Sequence, residues 1–127
     1  MRDDDLCYMS AEEAILRFKN LSLSPVELLD AIIARASSIS DTVNPFGDCY
    51  FDEARDKAKK SEALYVNKNS KTGALEGIPL AVKDICEIAG KRTTAGSLIN
   101  ENNVCEMTSP HVQRLIDAGA NLFARTT

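Results

Sequence analysis

The chain has 127 residues, of which 44% are apolar and 27% charged, and its formal net charge is −4. This length suits one domain, and the composition is that of an ordinary globular protein. The basic residues neither cluster nor alternate with aromatic residues, which argues against a nucleic-acid partner. No apolar run approaches the ~18 residues that cross a membrane, so no membrane contact is expected.

The cysteines indicate a reducing compartment and no metal site. Cys7, Cys49, Cys86 and Cys105 are far apart and form no Cys-x-x-Cys pair, which argues against zinc and against a redox motif. The charged start of the chain leads into no apolar segment of the secretory type. We therefore expect reduced thiols and a cytoplasmic location.

Two helices are predicted near the start, each introduced by a capping box, in which a hydroxyl is followed three residues later by glutamate. Ser10 and Glu13 introduce the first helix, and Ser24 and Glu27 introduce the second. Pro25 suits the first position of the second helix, and apolar residues recur there at helical spacing. Both helices are interpreted as packing elements.

The middle of the chain alternates turn, helix and loop. Residues 44–47, Asn-Pro-Phe-Gly, predict a turn, and a charged helix with a thin apolar face is predicted from 52 to about 64. Residues 67–77 are polar and predict an exposed loop.

Residues 78–85 form a nearly continuous apolar run bounded by glycine and proline, which predicts a short buried strand. Lys83 and Asp84 lie inside it and point to opposite faces. Burying an unpaired charge is costly, so Lys83 is the first functional candidate. Burial would favour the neutral amine, which acts as a general base; the alternative is a structural lysine paired with a carboxylate. Asp84 either orients groups around the lysine or accepts hydrogen bonds from backbone N–H groups of the following loop, and the second role is favoured.

The last third of the chain predicts a βαβ unit. Ser109 and Pro110 predict a helix start, Gly119 suits its end, and residues 121–127 predict a second strand, parallel to the first. Two strands are too few for a parallel sheet, and 121–127 would form an exposed edge. The expected class is α/β: N-terminal helices followed by the first βαβ unit of a larger mixed or parallel sheet, truncated at the chain end.

Two motifs resemble one family of enzymes. They are Gly77-Ile-Pro-Leu-Ala-Val-Lys83-Asp84 and Gly90-Lys-Arg-Thr-Thr-Ala-Gly96-Ser97. With the flanking segments 24–31 and 115–127, they resemble the N-terminal portion of the amidase signature family of serine hydrolases. The resemblance implies that residues 1–127 are the N-terminal part of an amidase domain. It would comprise a helical region at 1–64, a loop at 65–77, and at 78–127 the start of the α/β core with the lysine strand.

The resemblance also implies a mechanism. The family cleaves carboxylic amides with a Ser-cisSer-Lys triad, and Lys83 matches its lysine. Both serines would lie in a Gly/Ser-rich stretch beyond residue 127, so this chain alone is expected to be inactive. The implied substrate is a small-molecule amide, and neither a metal nor an organic cofactor is expected. Ser97 as a nucleophile paired with Lys83 is a further hypothesis, but the family pattern favours a loop role for Ser97.

Three alternatives remain open. The first is the glutaminase subunit of a tRNA-dependent amidotransferase; against it, residues 124–127 read Ala-Arg-Thr-Thr where Gly-Lys-Thr-Asn is typical. The second is a non-catalytic remnant or interaction module. The third is a split enzyme whose partner chain supplies the rest of the fold. His111, the only histidine, is predicted to be exposed and to take no part in catalysis.

Overall fold

Five helices and three strands make up the part of the chain that the computed structural model describes, residues 3–127. The helices are α1 (Asp3–Cys7), α2 (Ala11–Lys19), α3 (Pro25–Val43), α4 (Phe51–Val66) and α5 (Pro110–Asp117). The strands are β1 (Phe46–Cys49), β2 (Pro79–Lys83) and β3 (Asn121–Thr126). Among these residues no helix is both long enough and apolar enough to span a membrane.

The three strands form one mixed sheet in the order β1-β3-β2. β2 pairs with β3 in parallel, from Pro79 opposite Asn121 to Lys83 opposite Thr126. Helix α5 connects these two strands, which confirms the predicted βαβ unit. β1 pairs with the other side of β3 in antiparallel orientation. The α/β class, with N-terminal helices and a small mixed sheet, is therefore confirmed.

The expectation that residues 121–127 form an exposed edge is wrong, because β1 covers β3 on its far side. The sequence predicted only a turn at residues 44–47, and β1 has four residues, too few to show an alternating pattern. Aromatic contacts hold β1 in place. The ring of Phe46 lies 5.6 Å from that of Phe123 in an edge-to-face arrangement, and Phe51 stacks on Phe123 at 6.4 Å.

Apolar side chains pack in three clusters that tie the helices to the sheet. The first joins α3 and α4 to β3 through Leu29, Ile33, Ala54, Ala58, Phe123 and Ala124. The second packs α2 against the start of α3 through Ala14, Phe18, Leu23 and Leu28. The third holds α5 on β2 through Val82, Ile88 and Val112. The third cluster lies next to the end of β2, where Lys83 stands.

The sequence predicted an exposed loop at residues 67–77. This is wrong for the last residues of the loop, which turn inward. Glu76 is buried, and its carboxylate accepts hydrogen bonds from Ser61 Oγ at 2.5 Å and Lys57 Nζ at 3.3 Å. Its backbone carbonyl accepts a hydrogen bond from Tyr65 Oη at 2.9 Å. A local sequence pattern cannot show this burial, because the partners lie in α4, 11 to 19 residues earlier in the chain.

The predicted helix starts agree with the structure. Ser24 and Glu27 form a complete capping box, and Ser10 Oγ accepts a hydrogen bond from the Glu13 amide. α5 begins at Pro110 as predicted, but Ser109 makes no side-chain cap. Its hydroxyl instead accepts a hydrogen bond from the Glu87 amide at 3.0 Å and so fastens the loop after β2 to the start of α5.

Gly119, between α5 and β3, is expected to tolerate no side chain. Its φ is +98°, and a Cβ there would lie 2.7 Å from the Cα of Glu76. Gly119→Ala should lower the free energy of unfolding by about 2 to 3 kcal/mol, from strain and a backbone clash. Gly90→Ala is the matched control, because Gly90 has a φ of +75° but open space around it. Urea unfolding measures both, and equal losses would contradict the clash.

Candidate active site

Lys83 is the last residue of β2, and its side chain is exposed. Its Nζ donates a hydrogen bond to the backbone carbonyl of Thr127 at 3.1 Å. The expectation that Lys83 is buried is therefore wrong. β2 is an edge strand of the described three-stranded sheet, and Lys83 is its last residue. The catalytic role of Lys83 stays a prediction.

Lys83 lines an open cavity of about 270 Å³ at the carboxyl end of β2. The other walls come from β1, from the residues that follow β2, and from the loop that carries the second motif. The lining residues are Gly47, Asp48, Lys83, Asp84, Ile85, Arg92, Thr94, Ala95, Gly96 and Thr127. Both motifs singled out in the sequence therefore meet around one cavity.

Asp84 connects the end of β2 to the second motif. Its carboxylate accepts hydrogen bonds from the Thr94 amide at 3.0 Å and from the Thr94 hydroxyl. Its backbone carbonyl accepts a further hydrogen bond from the Ala95 amide at 2.8 Å. This confirms the expectation that Asp84 accepts hydrogen bonds from the loop. The contacts fix the loop of residues 93–96 against the strand that carries Lys83.

Arg125, in the central strand β3, is a buried cation that the sequence patterns did not assign to the site. Only 1% of its surface is exposed. Its Nη2 donates to the Cys86 carbonyl at 2.6 Å, to Thr93 Oγ1 at 2.9 Å and to Asp84 Oδ1 at 3.3 Å. Arg125 thus links β3 by hydrogen bonds to the turn and the loop that lie next to Lys83. The signal was a charged residue in a predicted strand, the same signal that identified Lys83.

Two surface ion pairs hold the second motif against the N-terminal elements. Arg92 binds the Asp48 carboxylate with two nitrogens, at 2.7 and 3.0 Å. Lys91 Nζ lies 2.7 Å from Glu53 and 4.2 Å from the ring centre of Tyr50. Asp48 was missed because its strand was not predicted. These contacts fix the outer wall of the cavity.

The pKa values of both cavity carboxylates lie below their ordinary value of 3.8. For Asp48 the hydrogen bond from Arg92 lowers the pKa, and burial only partly opposes it. For Asp84 burial raises the pKa, but the hydrogen bonds from Thr94 and Arg125 together outweigh that effect. Both carboxylates are therefore charged at neutral pH, and the cavity wall carries balanced charge pairs.

These lowered pKa values predict a loss of stability in acid. A carboxyl group whose pKa falls on folding stabilises the native state above its unfolded pKa, near 3.8, and this contribution disappears as the pH falls through the lower folded value. The free energy of unfolding should therefore drop below about pH 4. Asp84→Asn should flatten that drop, whereas Asp41→Asn, at an exposed position, should not. Urea unfolding at a series of pH values measures it, and equal slopes in both variants would contradict the account.

The remaining candidates lie outside the cavity wall. Ser97 Oγ accepts a hydrogen bond from the Ile99 amide at 3.3 Å and caps a short 3-10 turn, Leu98–Asn100. This is a loop role, and Ser97 is not among the residues that line the cavity with Lys83. His111 is exposed, as predicted. Within the described residues, no group of three His, Cys, Asp or Glu side chains could hold a metal ion.

Comparison with known proteins identifies the family. The family model described as Amidase matches residues 27–127. The chain belongs to the amidase family. This confirms the resemblance to amidase signature enzymes that the two motifs indicated, and it places both motifs inside the matched region.

Two curated relatives show how much of an amidase the chain represents. One subunit of the glutamyl-tRNA(Gln) amidotransferase of Sinorhizobium medicae is 33% identical over 121 residues, which are 95% of this chain and 24% of the relative. An amidase of Pseudomonas putida is 31% identical over 121 residues, 95% of this chain and 25% of that protein. The chain thus spans about a quarter of the length of these relatives.

Solved structures share the fold of this part of an amidase. A fatty acid amide hydrolase matches 98% of the chain and 22% of its own length, with a TM-score of 0.90 and 23% identity. A second match, at a TM-score of 0.84 and 27% identity, covers 93% of this chain and 26% of the other. That structure is described as a vestigial protein complex that reveals the origins of an s-triazine catabolic enzyme.

Proposed function

We propose that this chain provides the catalytic lysine, Lys83, of an amide hydrolase that uses a Ser-cisSer-Lys triad. The observation that carries the proposal is the position of Lys83 in an amidase-family chain: exposed, facing an open cavity, at the carboxyl end of a parallel strand. Active sites of open α/β sheets lie at the carboxyl ends of their strands. The neighbouring Asp84 and Thr94 fix the loop that faces the lysine.

The contacts of Lys83 favour the base over the structural alternative. Among the described residues, no carboxylate forms an ion pair with Lys83, and the contact of its Nζ is with the backbone carbonyl of Thr127. A structural lysine paired with a carboxylate would show that ion pair, whereas a general base needs a lone pair free to accept a proton. The open cavity leaves room for a hydroxyl group to approach Nζ.

The proposed reaction divides between this chain and the rest of the enzyme. Lys83, as the base, takes a proton through the cis serine, so that the nucleophilic serine attacks the amide carbonyl and backbone N–H groups stabilise the oxyanion. The amine or ammonia leaves, and water then releases the acyl group. Both serines would lie outside residues 1–127. Residues 1–127 would then be the N-terminal part of an amidase domain, with the lysine-bearing start of the α/β core at 78–127, and would be inactive by themselves.

A second candidate is the glutaminase subunit of a tRNA-dependent amidotransferase. The 33% identity to one subunit of such an enzyme favours it, whereas Arg125, in place of the usual lysine of Gly-Lys-Thr-Asn, favours a general amidase. In either case, a separate partner chain could supply the rest of the fold, as in a split enzyme. A non-catalytic remnant or interaction module is the third possibility. For all of them we propose the cytoplasm, where cysteines without disulfides are stable.

Turnover of an amide panel tests the proposal. The intact protein, as isolated from its source, should release ammonia or amine from one or more aliphatic or aryl carboxamides, and activity should survive a chelator. Hydrolysis of glutamine only, together with copurifying chains, would instead support the amidotransferase. A folded protein that hydrolyses no member of the panel, with or without copurifying chains, would favour the non-catalytic module.

A further inference from the structure

Cys86 and His111 form a thiol and imidazole pair that the proposed hydrolysis does not use. The Sγ of Cys86 lies 3.4 Å from Nε2 of His111, within hydrogen-bond distance for sulfur. Cys86 is partly exposed, in the turn that follows Lys83, and His111 is exposed in the first turn of α5. His111 is the only histidine in the chain, so no other cysteine has an imidazole partner.

Backbone contacts hold the pair together from both sides. The Cys86 amide donates to the Lys83 carbonyl at 3.0 Å, and the Cys86 carbonyl accepts from Arg125 Nη2 at 2.6 Å. Next to it, Glu87 and Ser109 are doubly linked: the Glu87 amide donates to Ser109 Oγ at 3.0 Å, and the Ser109 amide donates to the Glu87 carbonyl at 2.9 Å. The short distance between sulfur and imidazole is therefore a consequence of a fixed loop and helix start.

We propose that Cys86 and His111 form a modification site that reacts with soft carbon electrophiles such as haloacetamides. The sulfur attacks the electrophilic carbon, an S–C bond forms, and the carbon–halogen bond breaks as halide leaves with its electron pair. The thiol proton passes to Nε2 of His111, which requires the tautomer with its proton on Nδ1. A nucleophile beside a general base is the usual arrangement of an activated thiol.

The other cysteines provide internal comparisons. Cys49 is more exposed than Cys86, but burial of its sulfur and the negative charge of Asp48 raise the pKa of its thiol. Cys86 instead has the Nε2 of His111 3.4 Å from its sulfur. Cys105 is buried, and Cys7 donates to the Ala31 carbonyl at 3.6 Å. If exposure alone set the rate of alkylation, Cys49 would react fastest, whereas the proposal predicts that Cys86 reacts fastest.

A purely packing role for Cys86 gives a different expectation. Its side chain contacts the cluster of Val82, Ile88 and Val112 between β2 and α5. A cysteine that only fills space there would react more slowly than an exposed one, and its rate would not depend on His111. The dependence on His111 therefore separates the two roles.

Site-resolved alkylation tests the proposal on the intact protein. The protein is treated with limiting iodoacetamide, quenched, digested and analysed by peptide mass spectrometry to give a rate for each cysteine. Cys86 should react faster than Cys49, and His111→Gln should slow Cys86 by about tenfold. Gln113→Ala, at an exposed position in the same helix, should change neither rate. Repeating the reaction in urea should remove the difference between Cys86 and Cys49.

Two outcomes would overturn the proposal. The first is faster labelling of Cys49 than of Cys86 in the native wild-type protein, a comparison that requires no variant to fold. The second is an unchanged Cys86 rate in a folded His111→Gln variant. Neither readout depends on amide hydrolysis, so the modification site stands or fails independently of the proposed function.

Discussion

Replacing Lys83 by methionine is expected to lower kcat/KM for an amide substrate by about 10²- to 10⁴-fold, the usual contribution of a general base. Methionine keeps the length of the side chain but cannot accept a proton. Stability should hardly change, because Lys83 is exposed at the end of an edge strand and its Nζ makes one hydrogen bond, to the Thr127 carbonyl. The measurement is steady-state turnover of the intact enzyme, with the melting temperature recorded in parallel.

Two further variants separate a base from a mere positive charge. Lys83→Arg keeps the charge but holds its proton at working pH, so it should be as inactive as the methionine variant. Lys59→Met, at an exposed lysine of α4 that does not line the cavity, should leave kcat/KM unchanged. Full activity in the arginine variant would show that charge alone is required and would contradict the role of Lys83 as a base.

Replacing Arg125 by methionine is expected to lower the free energy of unfolding by about 3 kcal/mol. Removing one partner of a buried ion pair typically costs about 3 to 5 kcal/mol, since the other charge stays behind uncompensated. The lower end applies here for two reasons. The Asp84 side chain is 22% exposed, so water screens it. Nε and Nη1 of Arg125 have no partner among the described residues, a penalty that methionine removes.

Conservative and double substitutions provide the controls. Arg125→Lys keeps a positive charge near Asp84 and should lose less stability than the methionine variant. In a cycle with Asp84→Asn, the double variant should be more stable than the two single losses predict, because no unpaired charge remains. Urea unfolding measures all four proteins. A loss below about 1 kcal/mol in Arg125→Met would mean that the ion pair is not what holds the loop to the sheet.

The sequence predicted the elements whose patterns are local. The helix starts at Ser24 and Pro110 and the parallel pair of β2 and β3 follow from capping residues, apolar spacing and chain order, and all agree with the structure. β1 was missed because four residues cannot show a period, and its position depends on Phe123, which is far along the chain. Local patterns could not predict the contacts between segments that are distant in the sequence.

The difference between local patterns and contacts of distant segments also decides which features of the site were predicted. The motifs identified Lys83 and Asp84, and Asp84 accepts hydrogen bonds from the loop as expected. The expectation that the two residues point to opposite faces of one strand is wrong, because β2 ends at Lys83 and both residues line the same cavity. Lys83 was expected to be buried because residues 78–85 were interpreted as a strand with both faces covered, whereas the buried cation among the described residues is Arg125 in the central strand β3. A charged residue inside a strand is buried only where neighbouring strands and helices cover it. The order of the strands decides this, and one sequence does not reveal that order.

The central claim is that Lys83 activates a serine that lies outside residues 1–127. The most direct test is to treat the intact protein with a fluorophosphonate, which labels activated serines, and to map the labelled residue by peptide mass spectrometry in the wild type and in Lys83→Met. The account predicts stoichiometric labelling of one serine beyond Thr127 in the wild type, and labelling slower by at least about 10²-fold in the variant. Labelling of Ser97, or an equal rate in both proteins, would contradict it.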